Sequence, residues 1–199
     1  MMKSLGLCAM AKPRLFGLPP CPYNRMKAVP VMETGKKSNP SVSIRDAVPD
    51  DLPFLRSLAL EAFSVYGDYE TILTGFFVRR DVHTYVAEEV HGGRAIPVGL
   101  LMMILRKPRR YGPCFAEILA IAVERNERGK GIGSRLIEFA KRWPLSIRTD
   151  SPTREVRLSV AESNIRGLSF FRRHGFEIVR REPWRYPAGQ RAFGMRFSL

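Results

Sequence analysis

The residues best suited to chemistry are Arg128-Gly129-Lys130-Gly131-Ile132-Gly133-Ser134, three alternate glycines and a serine between an apolar strand-like run and an amphipathic helical one. That chemistry is the capture of a phosphate-type anion. The first amides of a helix have no intrahelical acceptor, and the aligned peptide dipoles place roughly +0.5 charge at that end. Glycine has no Cβ, so anion oxygens can approach the amides closely. Two standard nucleotide loops do not fit. A Walker A loop needs a glycine where this chain has Glu124, and a dinucleotide fingerprint started at Gly129 needs its third glycine at Ser134. The other group of interest is Glu117, a carboxylate inside the apolar run 115–123, which must be ion-paired, open to a cleft, or functional.

Regular elements that could position these groups begin at Val42. A short strand runs to Ile44, and Pro49-Asp50-Asp51 opens a helix with Leu52, Leu55, Leu58, Ala59 and Ala62 on one face. A second helix is expected over 69–78. Strands over 82–89 and 96–105 form a hairpin around His91-Gly92-Gly93, with a loop at 107–113. Residues 115–123 form the strand that enters the glycine run, and Ile132, Leu136, Ile137 and Ala140 follow helical spacing after it. A strand over 156–160, a helix over 164–174 and strands near 177–181 and 192–197 complete an α/β pattern. There is no internal repeat.

R-x-x-G-x-G over Arg128 to Gly133 resembles the acetyl-CoA pyrophosphate loop of the GNAT superfamily of N-acetyltransferases. The strand Phe115–Val123 is similar to that family's fourth strand, and Asn164 through Gly175-Phe176 resembles its N-x-x-x-x-x-x-F/Y-x-x-x-G-F helix and strand start. The resemblance covers about residues 42–199, with 115–180 carrying it. It implies an α/β acyl-CoA N-acyltransferase fold: a central mixed, mostly antiparallel sheet of about seven strands flanked by about four helices. The domain is expected over 41–199, behind a flexible basic extension over 1–40.

The resemblance also implies a reaction, direct transfer of an acetyl group from acetyl-CoA as co-substrate to a primary amine of a protein, peptide or small molecule. About one in ten α-amines but only about one in two thousand lysine side chains is neutral at pH 7, so lysine-like acceptors need a general base. Glu117 stands eleven residues before Arg128, and Phe115-Ala116-Glu117-Ile118 resembles the histone-type members in which the matching Glu is that base. Asp68, Glu70, Glu88 and Glu89 are lesser candidates to face the acceptor. Backbone groups of Ile121, Ala122 and Val123 are implied to pair with pantetheine and polarise the thioester. The loop Gly129, Lys130, Gly131, Ile132, Gly133 and Ser134 is implied to take the pyrophosphate, with Arg128 and Arg135 adding charge. Asn164 either bonds the pantetheine arm or is a plain N-cap. Where many members carry a Tyr that protonates the thiolate this chain has Phe171, which packs beside pantetheine or in the core. Ribosomal-protein N-terminal acetyltransferases place a catalytic Glu where Ser159 stands. Arg181 to Met195, with Trp184, Tyr186 and Gly189, loosely resembles the last hairpin of N-terminal peptide acetyltransferases, which bounds the acceptor cleft. The alternative reading is a non-catalytic acyl-CoA-binding module.

Composition sets the remaining bounds. The 199 residues, 45% apolar, suit one core with an appendage. The longest apolar run, Val98 to Leu105, is far short of the roughly 20 residues that cross a bilayer, and 5–10 is too short and interrupted for a signal peptide. Cys8, Cys21 and Cys114 form no even framework or C-x-x-C pair, which points to a reducing, cytoplasmic setting without disulfides or zinc. The net charge of +14 divides as +6 over 1–40 and +8 over the rest. Spread so, without a nucleic-acid-binding motif, it reads as a soluble basic surface that favours an anionic cofactor rather than as a nucleic-acid site. His83, His91 and His174 are expected in solvated or capping roles, and no metal is expected. The oligomeric state is open.

Overall fold

The computed structural model of the chain describes residues 9–10, 42–91, 93–107, 114–147 and 153–199. Most of the extension over 1–40, the loop at 108–113 and Gly92 of the hairpin turn lie outside the described residues. In chain order the elements are β1 (Ala9–Met10), β2 (Ser43–Asp46), α1 (Leu52–Phe63), α2 (Tyr69–Phe77), β3 (Val82–His91), β4 (Arg94–Arg106), β5 (Phe115–Val123), α3 (Ile132–Arg142), β6 (Glu155–Ala161), α4 (Ile165–Arg173), β7 (Glu177–Arg185) and β8 (Arg191–Ser198). Seven strands form one sheet in the order β2-β3-β4-β5-β6-β8-β7, and β1 is added against β5. Every pairing is antiparallel except β5 with β6. This is the mixed, mostly antiparallel sheet flanked by four helices that the family resemblance implies.

The helices divide the core into two layers. Leu55, Leu58, Ala59 and Ala62 of α1 and Leu73 of α2 pack with Val86, Leu100, Met102 and Ala120 on one face. Ile132, Leu136, Ile137 and Ala140 of α3 and Leu168 and Phe171 of α4 pack with Leu101, Ile118, Ile121 and Val160 on the other. Because both faces are covered, β4 and β5 are almost continuously buried, which removes the polar/apolar alternation from their sequence.

One irregularity shapes the site. Met102 pairs with Ala120 and Met103 with Ile118, so Leu119 is an extra residue in β5. A bulge of this kind bends its strand and raises its twist. The parallel pairing of β5 with β6 comprises Ala116 with Val156 and Glu117 with Arg157, and beyond these the strands part into a wedge.

The entry to α1 differs from the pattern expected of it. Pro49–Asp51 is a 3₁₀ turn, and Asp51 does more than complement the dipole. Its carboxylate accepts from both Nη atoms of Arg45, at 2.7 and 2.9 Å, and from the Val48 amide at 2.8 Å. The side chain is 5% exposed, and the Arg45 hydrogen bonds hold its carboxyl below the usual carboxylate range. A depressed folded value contributes stability that is present above the unfolded value of about 3.9 and is lost as pH falls through the folded one. Asp51→Asn is therefore expected to lower the urea midpoint at neutral pH and to flatten its fall below about pH 4, as a pH series of urea melts would show.

Candidate active site

The glycine run forms the predicted strand-to-helix turn. Gly129 and Gly131 have φ of +87° and +86°, a region that glycine enters without steric cost. A Cβ at either position would meet no atom within 4 Å, so the loop backbone faces open space. Gly131 is the N-cap of α3 and has no side chain to bond the first amides, which remain aimed outward as an anion site requires. Ile132 and Gly133 lie inside, fixing the helix to the sheet.

Several neighbouring side chains have structural work instead of facing that space. Arg128 donates Nε to the Val123 carbonyl at 2.9 Å and Nη2 to Glu61 at 2.7 Å, tying the loop to β5 and α1. Lys130 donates to Glu127 at 2.6 Å, which raises its pKa. Arg135 reaches the Val42 carbonyl at 3.1 Å. Glu124 is pushed above the usual carboxylate range by burial, with Glu61 and Glu127 adding to it. Ser134 Oγ lies 3.0 Å from Nε2 of His174, whose Nδ1 is 2.9 Å from the Phe170 carbonyl. A carbonyl only accepts, so Nδ1 carries the proton and, in the neutral ring, the Ser134 hydroxyl donates to Nε2. This link joins the start of α3 to the end of α4.

The wedge between β5 and β6 carries the remaining cofactor candidates. Ile121, Ala122 and Val123 line its β5 side, and Ala9–Met10 pair antiparallel with Ile121 and Ala120. Asn164 is the N-cap of α4: its Oδ1 accepts from the Gly167 amide at 2.9 Å, and the residue is buried. Gly167 is required there because a Cβ would stand 2.7 Å from Asn164 Nδ2. Of the two roles open for Asn164, capping is the one the geometry displays. Phe171 is fully buried, its ring 5.2 Å from Phe170 and 5.9 Å from Phe176, which places it as a core aromatic. Phe171→Ala is expected to cost about 3–5 kcal/mol. At roughly 2–4 °C per kcal/mol for a domain of this size, Tm falls by on the order of 10 °C, which calorimetry would detect.

Over the paired end of β5 and β6, and across β8 to β7, a cleft of about 260 Å³ opens on the sheet and is lined by Glu117, Arg157, Ser159, Glu182 and Gly194, among others. Glu117 is both cleft-lining and paired: Arg106 Nε donates to Oε2 at 2.7 Å, and the side chains are 19% and 11% exposed. Arg157 stacks 4.0 Å from the Phe115 ring centroid and bonds Glu155, which Arg196 also approaches at 3.7 Å. The lesser carboxylates stand elsewhere. Asp68 caps α2 through the Thr71 amide, Glu70 pairs with Arg56, Glu88 pairs with Arg45, and Glu89 is buried on β3. They do not line the cleft.

The β7–β8 hairpin closes over the α1–α2 connection. Tyr186 lies 5.1 Å from Tyr66, 6.2 Å from Tyr69 and 5.2 Å from Trp184, and its hydroxyl donates to the Ser159 carbonyl at 3.3 Å. Gln190 donates to the Val65 carbonyl at 2.7 Å, and the Ala188 amide to Tyr66 at 3.0 Å. This aromatic lock joins residues more than a hundred positions apart, and only the aromatic residues of the hairpin hint at it in sequence. Of the histidines, His83 lies edge-on to Trp143 at 5.0 Å, and burial pushes its pKa down. No group of His, Cys, Asp and Glu among the described residues has metal-binding geometry. No helix among them is long and apolar enough to cross a membrane.

A wedge opening onto an uncapped, glycine-lined helix start is the arrangement that the sequence resemblance leads one to look for, and the family whose description is Acetyltransferase (GNAT) domain matches residues 80–178, spanning β4, the wedge, the glycine loop and α4. The chain belongs to the GNAT acetyltransferase family. Comparison with curated protein sequences found no match. Solved structures with this fold include Arabidopsis thaliana NAA60 in complex with acetyl-CoA, 18% identical, with a TM-score of 0.66 over 80% of this chain and 99% of that one. Arabidopsis thaliana Naa50 in complex with the bisubstrate analogue CoA-Ac-MVNAL is 23% identical, with a TM-score of 0.58 over 80% and 99%. The spermidine/spermine N-acetyltransferase SpeG from Vibrio cholerae is 19% identical, with a TM-score of 0.57 over 79% and 92%. At these identities the likeness to this GNAT chain is one of fold.

Proposed function

We propose that this GNAT protein transfers the acetyl group of acetyl-CoA by direct attack to a primary amine of a peptide, a protein or a small molecule, with Glu117 as general base. The observation that carries the reading is the wedge: it leads from the open glycine loop at one end to the Glu117 cleft at the other. The acetyl-CoA of the NAA60 structure, the peptide-based analogue on Naa50 and the polyamine named for SpeG span the cofactor and the acceptor classes considered.

In this reading the amides of the Gly129 to Ser134 loop hold the diphosphate, and the pantetheine arm takes the β5 edge at Ile121 to Val123, where Ala9 pairs with Ile121. Cofactor and β1 thus compete for one set of backbone groups. An acceptor ammonium loses one proton to Glu117, directly or through water. The neutral nitrogen attacks the thioester carbon while β5 amides stabilise the oxyanion. Collapse breaks the C–S bond, the thiolate leaves, and the second proton lost by nitrogen ends on sulfur. Phe171 cannot donate that proton, so water carries it.

Initial velocities measured against both substrates test the direct attack. Intersecting double-reciprocal lines, with no acetylated enzyme trapped in the absence of acceptor, are expected. Parallel lines with an acetyl-enzyme would contradict it. Saturable acetyl-CoA binding without turnover toward any amine would instead select the non-catalytic reading, which the Phe171 substitution motivates.

A further inference from the structure

Glu182 is the least satisfied of the cleft's carboxylates. Glu117 has a 2.7 Å bond from Arg106, and Glu155 is held by Arg157 and Arg196. Among the described residues Glu182 receives a long, shared contact from Arg180 Nε, 3.3 Å to each oxygen. Its side chain is 7% exposed, while that of Arg180 is 59% exposed. A carboxylate withdrawn from water needs a close cationic or hydrogen-bonding partner, and an exposed arginine at that distance supplies little.

Its carboxylate lies over a glycine of the neighbouring strand. A Cβ at Gly194 would stand 2.3 Å from Glu182 Oε1, so the carboxylate lies directly over Gly194 of β8 and would have to shift if a side chain stood there. Gly194 is opposite Ser159 on β6, and Ser159 is two residues beyond Arg157, which pairs with Glu117. Opposite residues and residues two apart share a sheet face, so the direction of the absent Gly194 Cβ, and with it the Glu182 carboxylate, is on Glu117's side. Two strand spacings and two residues separate the two positions, a distance on the order of 10 Å.

We infer that Glu182 is an acceptor-binding residue that takes up a second cationic group of the amine substrate while Glu117 serves the reacting nitrogen. The substrate class is then a primary amine with another ammonium or guanidinium about 10 Å or less away, as in a polyamine. The inference rests on the acetyltransferase reading above. The substrate's cation takes the place of Arg180, whose own side chain is exposed and whose contacts with the carboxylate are long.

Full-length protein is assayed with spermidine and with n-butylamine, its single-cation counterpart, at saturating acetyl-CoA. Wild type is expected to favour spermidine in kcat/KM by roughly ten- to hundred-fold, the range for a charge-assisted hydrogen bond. Glu182→Gln should erase most of that preference through the spermidine KM, leaving the acetyl-CoA KM and Tm near wild type. Gly194→Ala, which keeps the charge but displaces it, should do the same. A preference retained in both variants overturns the Glu182 role and leaves the acetyltransferase reading intact, as does wild-type turnover of single-cation amines with no preference. Absence of turnover with every amine removes both.

Discussion

Glu117→Gln lowers kcat for a lysine-like amine by about 10²–10³ while leaving the KM for acetyl-CoA little changed, because a positioned base contributes on the order of 10²–10⁴ and only the acceptor nitrogen needs it. The substitution is a fair one for this site. Gln keeps an oxygen that can accept from Arg106 Nε, so the 2.7 Å contact across β4 and β5 has a neutral replacement and the sheet is not left with an unpaired guanidinium. The deficit should also depend on pH in a set direction. As pH rises toward the amine pKa of about 10, more acceptor is already neutral and the variant should recover relative to wild type. A kcat–pH profile for both proteins checks this, and an unchanged kcat across the range would remove Glu117 as base.

Gly131→Val weakens acetyl-CoA binding by at least about tenfold, for two reasons that can be separated. A β-branched residue at φ +86° carries a backbone penalty of roughly 1–2 kcal/mol. Its side chain also enters the open space before the first amides of α3, where the diphosphate oxygens would lie. Gly189 is the internal control: its φ is +90°, a Cβ there also meets no atom within 4 Å, and it lies in the β7–β8 turn. Gly189→Val should lose similar stability and keep its cofactor affinity. Titration calorimetry with acetyl-CoA on both variants gives the comparison; equal affinity losses would mean that the glycine loop does not hold the cofactor.

Much of this architecture is legible in the chain because local rules and the fold agree. The α3 stripe of Ile132, Leu136, Ile137 and Ala140 is apolar at helical spacing, and all four are buried. The turn at Gly129 and Gly131 is read from residue types that only positive φ demands. Individual roles are less legible. Arg128 and Arg135 look like anion ligands in sequence, yet they find the Val123 and Val42 carbonyls, contacts that the folded path of the chain creates. Phe171 occupies a position with two possible roles, and only its burial among Phe170 and Phe176 selects the core. The pairing of Glu117 with Arg106 depends on the β4–β5 register and its bulge, which no local periodicity encodes. Glu182 is missed for the same reason. Its meaning comes from Gly194, twelve residues away, lying beneath its carboxylate.

In the proposed reaction the wedge delivers an acetyl group from acetyl-CoA to an amine bound at the Glu117 cleft. The most direct measurement is mass spectrometry of amine acceptors after incubation with isotopically labelled acetyl-CoA and the full-length protein, using a panel of peptides, polyamines and amino acids. The account predicts label in amide linkage on the acceptor nitrogen, formed at a rate proportional to protein concentration and nearly abolished by Glu117→Gln at neutral pH. Recovery of every acceptor unlabelled, with acetyl-CoA bound but intact, would contradict it.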